Sequence, residues 1–132
     1  MTKGFDPLSE REEEIASSIV EAAYRVHKSL GPGLLEKVYE ACFCHELSKM
    51  GLHARRQVDL PIKYDGIVLD EGLRLDVLVD DLVICELKAV DEMNPVWQAQ
   101  LLSHLSLTGK RLGFLINFNV SLIRDGIKRF IR

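Results

Sequence analysis

Residues 74–88 read Arg-Leu-Asp-Val-Leu-Val-Asp-Asp-Leu-Val-Ile-Cys-Glu-Leu-Lys, two runs of strand-forming residues joined at Asp80-Asp81. This pattern predicts a tight hairpin. Side chains alternate between the two faces of a strand. Val83, Cys85 and Leu87 therefore form one face, and Ile84, Glu86 and Lys88 the other. The first face is wholly apolar, which places the strand in the middle of a sheet. The charges on the second face do not suit such a strand. Asp76 lies on the preceding run, and the hairpin can bring it beside Glu86. Two acids and a lysine grouped in this way can hold a divalent cation through hard oxygen ligands and activate a water against a phosphodiester. The alternative is a hairpin with a solvated polar face, which half-exposed strands commonly have.

The rest of the chain is read around this hairpin. The 132 residues are 47% hydrophobic and 28% charged, as expected for one globular domain over 1–132 that buries a core without disulfides. Residues 1–8 are expected to be a flexible N-terminus. Ser9 and Glu12 fit a capping box at the start of a helix over 10–30. In it Ile15, Ile19, Ala22, Val26 and Leu30 form an apolar stripe, ended by Gly31-Pro32-Gly33. A second helix is predicted over 34–50, stopped by Gly51. Strands follow over 58–64 and 67–79, turned at Asp65-Gly66, with a break or bulge at Glu71-Gly72. In the second of these, Leu73, Leu75, Val77 and Val79 are expected to share a face. A strand over 82–90 completes a meander. Asn94-Pro95 starts a helix through Thr108. A short apolar strand over 112–117 and a closing segment over 127–131 end the chain. The order ααβββαβ implies an α/β or α+β fold around a central mixed sheet.

Other residues carry weaker signals. Glu36 shares a helix face with Tyr39, Phe43 and Leu47, where an acid belongs only at a wet edge or in a polar pocket. Gln100 and His104 share a face of the third helix. His27 borders an apolar stripe and reads best as a hydrogen-bonded core histidine, and Trp97 as a packing residue. Cys42, Cys44 and Cys85 have no framework or zinc spacing and read as small apolar residues. The net charge is −3, so the chain lacks the basic excess of proteins that hold nucleic acid by bulk electrostatics. No apolar run reaches membrane-span length, and the N-terminus lacks a signal-peptide core. A cytoplasmic location is the expectation, with no membrane partner.

Several motifs in order resemble one family. Gly33-Leu-Leu-Glu36-Lys-Val-Tyr39 matches the signature of the GxxExxY proteins. Val26-His27, Leu30-Gly31-Pro32-Gly33, Arg74-x-Asp76, Glu86-Leu-Lys88-Ala, Ala99-Gln100-Leu-Leu and Leu115-Ile-Asn117-Phe accompany it. The family looks like a compact branch of the PD-(D/E)XK nuclease superfamily. That resemblance implies a restriction-endonuclease-like core, a four-stranded mixed sheet flanked by helices in αβββαβ order, with the first helix as an addition. It implies Asp76, Glu86 and the Leu87 carbonyl as ligands of Mg²⁺ or Mn²⁺, with Glu36 as a further ligand from the helix. Lys88 would assist the water, and Gln100 would orient water or phosphate. The related exonuclease-like branch often has a tyrosine where this chain has His104.

The expected function is a metal-dependent nuclease acting on DNA in preference to RNA. The alternative is a non-catalytic assembly or binding module that keeps the fold as a homo-oligomer. The small size and acidic balance motivate this alternative, since so short a domain has little surface beyond its site with which to hold a duplex.

Overall fold

At the predicted hairpin turn, Asp80 and Asp81 both take left-handed backbone angles, φ 49° and 58°. Positive φ at successive residues is what tight hairpin turns use, and here the loop spans residues 80–82, between the paired Val79 and Val83. The Leu82 amide donates to the Val79 carbonyl at 3.0 Å and closes the turn. The computed structural model describes residues 6–132 and builds outward from this hairpin. Its elements are α1 (Glu10–Leu30), α2 (Glu36–Lys49), β1 (Ala54–Tyr64), β2 (Ile67–Val79), β3 (Val83–Lys88), α3 (Pro95–Thr108), β4 (Leu112–Asn117), a 3₁₀ turn (Ile123–Gly126) and β5 (Ile127–Ile131).

The strands form one five-stranded sheet in the order β1-β2-β3-β4-β5. Only β3 and β4 pair in parallel, as the crossover through α3 requires. The sheet thus has one strand more than the four expected. The closing segment is this fifth strand, β5, antiparallel to β4. The fold remains a mixed α/β arrangement, with β3 central as its apolar face implied.

Helices cover both faces. Ile15, Ile19 and Ala22 of α1 and Tyr39, Phe43 and Leu47 of α2 bury against Val77, Val79, Val83, Cys85 and Leu87. On the other face, Leu101 and Leu105 of α3 bury against Leu75, Leu78, Ile84 and Leu115. A Cβ on Gly113 of β4 would lie 2.9 Å from the Leu101 side chain, so glycine here lets α3 approach the sheet closely. That approach carries Trp97 and His104 down onto β3.

The expected alternation in β2 does not hold along its whole length. Leu73 and Leu75 pack on the α3 side, whereas Val77 and Val79 pack on the α1/α2 side. The strand turns over at Asp76. Opposite it on β1 stands Gln57, whose φ of 50° interrupts the regular pairing between Arg56–Val77 and Val58–Leu75. Further out, the register shifts between Leu60 and Ile62. This is the bulge expected near Gly72, where a Cβ would lie 1.9 Å from the Leu60 carbonyl oxygen.

α1 starts and ends where the sequence predicts, with both hydrogen bonds of the Ser9–Glu12 capping box formed. α2 starts later than expected, at Glu36, because Gly33 sits at φ 100° and Leu35 is extended. Of the segment expected to be flexible, residues 1–5 lie outside the described residues. The Asp6 and Pro7 carbonyls accept from the Arg111 guanidinium, and Leu8 packs on the core. His27 is the hydrogen-bonded core histidine expected, its Nε2 2.7 Å from the Val120 carbonyl oxygen. Cys44 and Cys85 are buried and Cys42 half-buried. Among the described residues no helix is long and apolar enough to cross a membrane.

Tyr39 fixes the loop that starts α2. Its hydroxyl donates to the Gly31 carbonyl at 2.6 Å and accepts from the Leu34 amide at 3.1 Å. Its ring stacks on Phe118 with centroids 4.8 Å apart. Removing the hydroxyl deletes both of these part-buried hydrogen bonds, so Tyr39→Phe should cost about 1 kcal/mol. Urea unfolding reads this as a lower midpoint. An unchanged midpoint would show that the loop is held by other contacts.

Candidate active site

The β2–β3 ladder runs from Val79–Val83 to Val77–Cys85 and stops. Beyond it, β2 remains paired with β1, and β3 remains paired with β4 as far as Lys88–Asn117. The sheet therefore splays between β2 and β3. At the fork two carboxylates take over from backbone partners. The Asp76 amide donates to Glu86 Oε2 at 3.0 Å, and the Leu87 amide donates to Asp76 Oδ2 at 2.9 Å. The sequence-predicted convergence of Asp76 and Glu86 is present, and each acid is oriented by the strand opposite it.

Asp76 and Glu86 are half-buried. Burial, and then the neighbouring Glu86 charge, push the Asp76 carboxyl up to about 7 against the opposing Leu87 amide and Lys88. Two acids this close resist ionising together. A divalent cation removes that conflict, and the hard oxygens of the pair suit one. The remaining Asp76 Oδ1 and Glu86 Oε1 are not used by the strand contacts. The donor set therefore fits an ion of this class.

Lys88 lies two residues beyond Glu86, with its ammonium 4.6 Å from the centroid of the Trp97 ring. At that distance the face of the indole attracts the cation. Trp97 thus does more than pack: it holds the site lysine. His104 Nδ1 stands 3.4 Å from Glu86 Oε1 and is buried without a hydrogen-bond partner. Gln100, one helical turn earlier, is exposed and makes no hydrogen bond among the described residues.

Glu36 reaches the fork from the other layer. It lines a cleft of about 510 Å³ with Asp76, Glu40, Lys37, Arg56, Gln57 and Arg74. Partial burial raises its carboxyl, opposed by Lys88 and reinforced by Glu40 and Glu86. Among the described residues no group of three or more His, Cys, Asp or Glu side chains is arranged to hold a metal ion. Glu36 therefore borders the acid pair without closing a cage around it. Leu87 contributes its amide to Asp76, and its side chain is buried in the core.

The sequence reading did not single out Glu40, Gln57 or Arg56 as part of the cleft. Glu40 is buried and accepts from Arg56 Nε at 3.1 Å, Arg56 Nη2 at 3.0 Å and Gln57 Nε2 at 2.7 Å. This network pins β1 to α2 beside the fork. Its sequence signal was available: Glu40 lies one turn after Glu36 on the same helix face, and Arg56 belongs to a short basic cluster. Lys37, Arg56 and Arg74 line the cleft against Glu36, Glu40 and Asp76, so its charged lining is balanced, with Arg56 paired to Glu40 and Arg74 to Asp59.

A profile of the PD-(D/E)XK nuclease superfamily matches residues 13–130. The chain belongs to that superfamily. Membership suggests a nuclease and a nucleic-acid substrate, and nucleases of this superfamily generally use divalent metal ions. No match was found among curated proteins or among solved structures.

An acid with a raised folded-state pKa binds its proton more tightly folded than unfolded. The stability contributed at Asp76 is thus present below pH 3.8 and is lost as pH rises through about 7. In EDTA, wild type should lose stability between pH 5 and 8 relative to Asp76→Asn, by on the order of 2 kcal/mol. Urea midpoints at the two pH values measure this. Parallel trends in both proteins would mean that Asp76 titrates as an ordinary carboxylate.

Proposed function

We propose that the protein is a Mg²⁺- or Mn²⁺-dependent nuclease that hydrolyses phosphodiester bonds of DNA in preference to RNA. The observation that carries this reading is the fork itself. Asp76 and Glu86 are held by each other's strands at the point where the sheet opens, with Lys88 beside them. The signature Gly33-x-x-Glu36-x-x-Tyr39 supports placement in the GxxExxY group. In that placement Tyr39 builds the loop and Glu36 faces the cleft.

Asp76 and Glu86 are the residues that would hold the cation, with the Leu87 carbonyl between Glu86 and Lys88 as a backbone donor. A divalent cation held there would supply Lewis-acid polarisation of a phosphoryl oxygen and a more acidic water. Lys88, steadied by Trp97, orients the attacking water and offsets negative charge growing on the phosphoryl group. Glu36 stands at the rim as a supporting acid. Gln100, exposed on α3, would meet a phosphate or water once substrate covers that helix. Lys37, in no ion pair among the described residues, and Arg56 and Arg74, each shared with an acid (Glu40 and Asp59), would take neighbouring phosphates of the strand. These positioning contacts are charge-based and sequence-independent.

The test is calorimetric Mn²⁺ binding to wild type and Asp76→Ala, followed by cleavage of single- and double-stranded DNA and of RNA. Asp76→Ala should lose the metal and all cleavage. Lys88→Ala should keep the metal and lose about 10²–10³-fold in rate, the size of one transition-state donor. Cleavage retained by both folded variants would sink the assignment.

A further inference from the structure

The β1–β2 hairpin extends past the core. None of residues 61–70 packs on either core cluster. Yet Tyr64, Ile67 and Val68 are apolar and 69%, 55% and 56% exposed. Tyr64 pairs with Ile67 and Lys63 with Val68 across the ribbon, so the arm is regular β-structure with apolar side chains in water. Tyr64 and Ile67 share one face of the ribbon and Val68 lies on the other beside Lys63, so the arm exposes apolar surface on both sides. Apolar surface left exposed on a projecting arm marks an interaction surface. In sequence, residues 61–72 carry Lys63 against Asp65, Asp70 and Glu71, a net charge of −2. This balance repels phosphates and suits a partner with apolar and cationic groups.

The same chain has such a surface at the opposite edge of the sheet. There α1, β5 and the 3₁₀ turn border two adjoining hollows of about 590 and 730 Å³ that share Glu21 and Tyr24. Tyr24 and Leu122 offer apolar surface, 45% and 52% exposed. Lys28 and Arg124 line the larger hollow. Arg25, also in that hollow, pairs with Glu21 and Glu46, whereas Lys28 and Arg124 form no ion pair among the described residues. Glu21 against Arg25, Lys28 and Arg124 gives the charged lining of this hollow a net +2.

We propose that the β1–β2 arm of one copy docks in the α1/β5 groove of a second copy. Val68 would lie against Tyr24 and Leu122, and Asp70, on the same face of the strand, and Asp65 at the turn would meet Lys28 and Arg124. The contact joins unlike surfaces, so it continues into a ring or chain unless two copies exchange arms reciprocally. It rests on the two surfaces alone and does not depend on the nuclease reading.

The test is the solution mass by light scattering at roughly 100 μM, a concentration chosen for a contact below standard interface size. The proteins are wild type, Val68→Asp, Leu122→Asp and their equimolar mixture. Both substitutions fall on exposed side chains, and circular dichroism checks that the folds match. Wild type should exceed the 15.0 kDa of one chain, and each variant alone should return to the single-chain mass. The mixture should give a two-chain complex, because one variant keeps its groove and the other its arm. In a second pairing, Lys28→Glu with Arg124→Glu should lose association, and mixing with Asp70→Lys should restore it. Wild type at the single-chain mass would overturn the proposal. So would Leu122→Asp with the wild-type mass, which would indicate arm-to-arm pairing, or a mixture that stays dissociated.

Discussion

The replacement of a backbone ladder by two carboxylates is the constraint on which the rest of the structure turns. Once the β2–β3 pairing stops at Val77–Cys85, the Asp76 and Leu87 amides need other acceptors, because unpaired buried amides are costly. Glu86 and Asp76 supply them. Their positions follow from backbone hydrogen bonding as much as from side-chain choice. The splay also lets both helical layers reach the same point. Glu36 comes from α2 on one face, and Trp97 and His104 come from α3 on the other.

The side chains that mark the family-like motifs divide into two kinds. Glu36, Asp76, Glu86 and Lys88 gather at the fork. Tyr39, Asn117 and Phe118 hold the frame around it. Asn117 donates to the Val90 carbonyl and accepts from the Val90 and Asn119 amides, a side-chain substitute for a ladder that has ended. This explains why β3 stops at Lys88 although the strand-like sequence runs on to Val90. The Phe118 amide then donates to the Lys88 carbonyl, and its ring carries Tyr39. One short segment after β4 thereby links the lysine strand to the loop that presents Glu36.

Features written in local chemistry were legible in the sequence. The capping box fixed the start of α1, and Asn94-Pro95 that of α3. The Asp80-Asp81 turn set the register that brings Asp76 to Glu86. The turnover of β2 at Asp76 was not legible. Leu73, Leu75, Val77 and Val79 are all apolar, and both sheet faces are buried, so either orientation satisfies the pattern. The left-handed Gln57 opposite gives no compositional sign. β5 was read only as a closing segment because five residues with Lys128 and Arg129 at the centre do not look like a sheet strand. An edge position tolerates those charges. The Glu40–Arg56–Gln57 network depends on how α2 lies across β1, which spacing along one helix cannot give.

Trp97 is the chain's single tryptophan, and its ring lies against the ammonium of Lys88. The protein thus has an intrinsic optical probe at the site. Indole emission is sensitive to a nearby charge and to the polarity around it. Any event that withdraws, neutralises or re-engages the lysine should register in the fluorescence of one residue, with no label and no background from a second tryptophan. Events at the fork can therefore be followed in real time even under conditions where no bond is broken.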